Sequence, residues 1–245
     1  DLGRQGPKLP ELLEALLAGT SVPWFRLLYV YSAGLTQHLV DLIAGEPRLV
    51  PYLDIPIQHA SDRMLERMRR PERQATLREK LRWLRDTIPD VAIRTTCLVG
   101  FPGEREEEFR ELLAFLEEAQ FDRLGAFAYS PQDGTRAVQY ADDVPDAAKR
   151  ERLEELLEVQ RAISAERLAR FVGREVPVLV DRVADPLDTG SDPAGVTHVG
   201  RVAWQADDVD GVTYLEHGGW AQEGSFVRAR LTGSEDYDFR AVALA

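Results

Sequence analysis

The chain has 245 residues, 44% of them hydrophobic, with 42 acidic against 30 basic side chains and a formal charge of −12. That balance excludes a disordered polyelectrolyte, no apolar run reaches membrane-spanning length, and the acidity disfavours broad attraction to a phosphate backbone while suiting a basic partner. The single Cys97 cannot form an internal disulfide, so a reducing cytoplasm is the expected compartment.

The chain opens at Asp1 inside what reads as the lead-in to a helix, and Met64 and Met68 are internal, so a preceding portion is expected. Pro10 introduces an amphipathic helix through Leu12, Leu13, Leu16 and Leu17 that Gly19 ends. A strand is predicted over 24–31, then a helix capped by Thr36 with Leu39, Val40 and Ile43 inward. Residues 49–59, LVPYLDIPIQH, suit a strand made irregular by Pro51 and Pro56. Ser61 is the predicted cap of a helix carrying Met64, Leu65 and Met68, and beyond Pro71 a second helix places Leu77, Leu81, Leu84 and Ile88 in phase.

Residues 91–104, VAIRTTCLVGFPGE, are the central unit: a buried strand runs into a turn at Gly100, Pro102 and Gly103, and an acidic first turn opens the next helix. Such a turn serves either chain reversal or a ligand cradle at the carboxyl end of a parallel strand. A strand over 121–129 closes the series. Helices and strands alternate, so right-handed crossovers predict one parallel sheet. Its polar rim gathers Gln58, His59, the glycine turn, Tyr129 and Ser130, where α/β barrels hold ligands. Four strands are fewer than a complete barrel needs.

A long helix follows from Pro145 towards Gly173. From Arg174 the pattern becomes five short alternating runs, VPVLVDRV, THVGRVAW, GVTYLEH, SFVRARL and DFRAVAL, which predict a small antiparallel barrel. The loop from Asp185 to Gly195 is the expected mobile segment. The segments are therefore 1–144, the C-terminal part of a barrel; 145–172, a connecting helix; and 173–245, a second domain.

YLDIPIQHASDRMLERMRRP, RTTCLVGFPGE, FDRLGAFAYSPQDGT and EDYDF together resemble the RimO-type methylthiotransferases, radical S-adenosylmethionine (SAM) enzymes with a TRAM domain. The resemblance implies an α/β partial (β/α) radical SAM barrel lacking its first strands, followed by a small all-β, OB-like TRAM barrel. It implies insertion of sulfur and a methyl group at the β-carbon of an aspartate in the twelfth protein of the small ribosomal subunit. SAM and 4Fe-4S clusters are the implied cofactors. Because such clusters need several cysteine ligands and Cys97 is alone, no catalytic or metal-binding residue is expected in this chain, and the ligands belong to the preceding portion.

The resemblance puts SAM against Val99, Gly100, Phe101, Gly103 and Glu104. Gln58 would bond ribose hydroxyls, or else be a satisfied loop amide. Arg94 would fork onto the SAM carboxylate, or else pair with a structural carboxylate such as Asp54. His59, Tyr129 and Ser130 are candidate substrate contacts on the rim. From Arg174 onward there are six arginines, no lysine and thirteen acids. An RNA-reading barrel carries a basic stripe, so this segment favours a basic ribosomal protein over nucleic acid, through Asp207, Asp208 and Asp210 in an exposed turn. A tRNA methylthiotransferase and a non-catalytic binding module without clusters are the alternative readings.

Overall fold

A computed structural model describes residues 8–185 and 193–244. The elements run α1 (Leu9–Gly19), β1 (Phe25–Leu27), α2 (Gln37–Gly45), β2 (Leu49–Asp54), α3 (Asp62–Arg67), α4 (Gln74–Thr87), β3 (Ala92–Val99), α5 (Glu106–Ala119), β4 (Arg123–Ala128) and α6 (Asp146–Ala169). Then come β5 (Glu175–Val183), β6 (Val196–Arg201), β7 (Thr213–Glu216), β8 (Phe226–Glu235) and β9 (Asp238–Ala243). Most of the loop expected between Asp185 and Gly195 lies outside the described residues.

The first four strands form one parallel sheet in chain order, as the alternation predicts. Its outer face carries Leu49, Leu53, Ile93, Cys97 and Val99 into a core shared with the helices. β1 is shorter than predicted, and its register on β2 slips between Phe25 and Leu27, opposite the region of Pro51, which has no N–H to give. Thr36 caps α2 by accepting from the Leu39 N–H at 3.3 Å. Ser61 stands at the start of α3 without bonding to it through its side chain. Its N–H instead donates to His59 Nδ1.

The last five strands close into a barrel in the order β5-β6-β7-β9-β8. It is not wholly antiparallel, because β7 and β9 run parallel. A closed ring of five strands cannot alternate direction throughout, so one neighbouring pair must agree.

One core joins the barrel to the sheet. Val50, Tyr52 and Ala92 on the sheet's inner face pack with Leu168 in the last turn of α6, with Phe171 just beyond it and with Val178, Val202 and Leu231 of the barrel. Phe171 stacks on Trp204, ring centroids 3.6 Å apart. A polar interlock lies beside this core: Tyr52 donates its hydroxyl to Asp210 Oδ2 at 2.7 Å, and Arg26 donates to the Ala203 carbonyl at 2.7 Å. Burial lowers the Arg26 pKa to about 10. The barrel therefore covers the lower half of the sheet's inner face and leaves the carboxyl rim free of it.

Candidate functional site

The rim is built on β3, whose period-two alternation sends Cys97 and Val99 outward and leaves Arg94, Thr96 and Leu98 half-buried on the inner face. At its end Gly100 and Gly103 take φ of 69° and 82°, conformations that residues with a Cβ avoid. The turn is capped by the chain itself. Gly100 donates its N–H to Glu104 Oε2 at 2.9 Å, and Gly103 donates to Asp143 Oδ1 at 2.6 Å. A Cβ on Gly100 would overlap Lys149 Cγ, and one on Gly103 would lie 2.9 Å from Arg67 Nε. The close approach that requires glycine here is made by side chains of α6 and α3.

Glu104 holds this turn from beneath. Its side chain is fully buried, and Oε1 accepts from Arg152 Nη1 at 2.9 Å. His59 is equally buried; its Nδ1 accepts from the N–H groups of Ala60 and Ser61 at 3.0 Å each, which assigns the ring proton to Nε2, 3.5 Å from Glu104 Oε2. Glu104 and His59 thus fix the turn. Both side chains are buried, where ligand contacts were expected of them.

Above the turn a cavity of about 300 Å³ is lined by Gln58, Leu98, Phe101, Arg67, Arg136 and Tyr140. Gln58 enters it from a left-handed backbone position, φ 67°, held because its N–H donates to the Thr96 carbonyl and its carbonyl accepts from Leu98, both at 2.8 Å. Phe101 stands edge-on to Tyr129 and Tyr140, centroids 5.2 and 6.1 Å apart. The Arg67 guanidinium lies 4.3 Å from the centre of the Tyr140 ring. An aromatic floor with one amide and four arginines in the lining, Arg67, Arg69, Arg70 and Arg136, suits a flat, polar heterocycle bearing an anionic substituent. Of the predicted cofactor residues, Gln58 and Phe101 meet here. Leu98 was legible from the alternation that begins at Arg94, whereas Arg67, Arg136 and Tyr140 arrive from other elements and left no local signal.

The remaining candidates stand elsewhere. Val99 is fully buried on the helix side of the sheet. Tyr129 is 8% exposed, with the Lys149 ammonium 5.5 Å from its ring, and Ser130 is exposed beside it. Arg94 donates to Asp54 at 3.1 Å and lies 3.8 Å from Asp210, so the structural pairing is the one formed. Asp207 and Asp208 are exposed, with Asp207 paired to Arg201 at 2.7 Å. Asp210 departs from the exposed turn expected for it, because its side chain is 1% exposed and turned into the sheet.

Cys97 is fully buried, and burial pushes its thiol pKa up. The folded protein is expected to resist aromatic disulfide reagents at mildly alkaline pH and to react fully in denaturant. Rapid native labelling would show that β3 opens. Among the described residues no group of three or more His, Cys, Asp or Glu could hold a metal ion, and the single cysteine of the sequence does not supply the thiolate set of an iron–sulfur cluster. Nor is any helix among them long and apolar enough to cross a membrane.

Residues 5–116 match the model of the radical SAM superfamily, and residues 172–244 match that of the TRAM domain. The chain is 44% identical over 232 residues, 95% of its length, to a protein of Geobacter sulfurreducens named ribosomal protein uS12 methylthiotransferase RimO. Relatives of the same name are 45% identical in Desulforudis audaxviator and 39% in Aquifex aeolicus, over 99% and 94% of the chain. The chain spans about half the length of these relatives, 50% to 52%. Among solved structures, the radical SAM enzyme coproporphyrinogen III oxidase (HemN) of Escherichia coli matches at a TM-score of 0.46 and 16% identity, covering 67% of this chain and 38% of that one. The two model matches stand in the order the motifs predict, radical SAM first and TRAM after it.

Proposed function

We propose that this chain, which joins radical SAM strands to a TRAM barrel, is the C-terminal part of a methylthiotransferase whose whole protein modifies an aspartate of ribosomal protein uS12. The observation that carries the reading is collinear identity of 44% over 95% of the chain, sheet and barrel alike, to a relative of that name. In this reading the rim cavity takes the adenosyl end of SAM, with Phe101 and Leu98 against the base, Gln58 on ribose hydroxyls, and Arg67 and Arg136 near the anionic end. SAM, when bound, supplies the adenosyl and methyl groups. Glu104 and His59 hold the turn beneath it, and Arg94, paired with Asp54, stands outside the cavity lining. The iron–sulfur clusters are assigned to the portion preceding Asp1.

The test is anaerobic reconstitution of the whole protein encoded at this locus, followed by incubation with SAM, uS12 and a tRNA. Gain of one methylthio group on an aspartate of uS12, read by peptide mass spectrometry, is the expected result; modification of a tRNA base instead overturns it. This chain alone, reconstituted with iron and sulfide, is expected to bind no cluster, and iron near one cluster per chain would contradict that assignment.

The acidic TRAM segment is proposed to meet the basic surface of the ribosomal protein through Asp207 and Asp208, without Asp210. Reversing both exposed residues to lysine is expected to slow association several-fold at low salt and leave unfolding unchanged. Tighter binding to tRNA than to uS12 at matched ionic strength would remove this role.

A further inference from the structure

A cavity of about 520 Å³ lies where the amino end of β4 meets the barrel, apart from the rim; Arg94, Arg123, Asp210, Asp236 and Asp238 are the charged residues of its wall, and Leu124, Leu157 and Tyr237 supply apolar surface. Arg123 is 3% exposed, yet its Nη1 has no hydrogen-bond partner, and among the described residues no carboxylate forms an ion pair with it. The Tyr237 ring centre lies 6.0 Å from its Cζ. Burial pulls its pKa below the usual value, and the carboxylates of Asp210, Asp122 and Asp238 offset its charge only through space.

On the same wall, Asp210 presents the opposite need. Its Oδ2 accepts from the Tyr52 hydroxyl at 2.7 Å and from the Ala206 N–H at 2.8 Å, whereas its buried Oδ1 accepts no hydrogen bond. The cation nearest that oxygen is Arg94 Nε at 3.8 Å. Arg123 and Asp210 do not reach one another directly. A simple anion would satisfy Arg123 and repel Asp210, and a simple cation would do the reverse. One molecule carrying both charges, with an apolar body for Leu124, Leu157 and Tyr237, meets both unpartnered atoms at once.

We propose that this cavity binds an α-amino acid zwitterion with an apolar side chain, its carboxylate on Arg123, its ammonium on Asp210 Oδ1 and its side chain against Leu124, Leu157 and Tyr237. The assignment is independent of the rim cavity and of the reaction proposed for it. The probe is para-fluorophenylalanine, titrated into the 245-residue chain and read by fluorine NMR, beside its des-amino and des-carboxy analogues. The amino acid is expected to bind, each analogue about tenfold or more weakly, because each leaves one buried charge unpaired. Arg123→Met is expected to abolish binding, and Arg150→Met, at an exposed position on α6, to leave it unchanged. Where Arg123→Met does not fold, Arg123→Lys, which keeps the charge but loses the fork, is expected to bind about tenfold more weakly. No binding to the unaltered chain, equal binding of the three probes, or undiminished binding in the folded Arg123 variant overturns the proposal.

Discussion

Asp210→Ala is expected to destabilise the protein by about 3 kcal/mol, the order of loss when one partner leaves a buried charged network. The carboxylate ties three segments: it accepts from the Tyr52 hydroxyl on β2 and from the Ala206 N–H in the barrel, and it lies beside Arg94 on β3. Removing it strands a buried phenol and withdraws one of two carboxylates from Arg94. Tyr52→Phe, which deletes one hydrogen bond and keeps the ring against Arg26, is expected to cost about 1 to 2 kcal/mol. Urea denaturation followed by circular dichroism measures both. Because one apolar core spans sheet and barrel, the unaltered chain is expected to unfold in a single transition. Asp210→Ala with the stability of Asp207→Ala would show that the interlock contributes nothing.

Gly100→Val is expected to cost about 3 to 4 kcal/mol, from two separable sources. A β-branched residue at φ 69° is strained by about 1 to 2 kcal/mol, and its Cβ would overlap Lys149 Cγ, an overpacking of similar size. Shortening Lys149 relieves the second source and leaves the first. In a double-mutant cycle, Lys149→Ala is therefore expected to recover about 1 to 2 kcal/mol from Gly100→Val, after allowance for its own lost bond to Asp142. A cycle that closes to zero would place the cost of the substitution in backbone strain alone. The same cycle tests whether the glycine serves the packing of α6 or a bound molecule, since the relief needs no ligand.

Much of the sheet was legible because its signals are local. Alternation of apolar residues, proline and glycine stops, and the Thr36 cap each act within a few residues, and they located the parallel strands and their helices. Leu98 could have joined the site on the same reasoning, two residues after Thr96 on the inner face. The five runs after Arg174 declared a barrel, although its one parallel pair follows from closing an odd ring, a property of the whole and of no single strand.

What the sequence by itself determined was the order of elements, the turn at Gly100 to Gly103, and the family resemblance that comparison with known proteins bears out. Tertiary structure alone decided the environment of each charge. Within WQADDVDGV, Asp207 and Asp208 stay in water while Asp210 is buried against Tyr52 and Arg94, and nothing in the run distinguishes them. Arg94 and Arg123 are register partners on neighbouring strands, yet one bonds to Asp54 and the other keeps a buried Nη1 without a hydrogen-bond partner. Burial and pairing are set by which distant segments meet, because the desolvation of a charge depends on atoms that the chain brings together only when it folds.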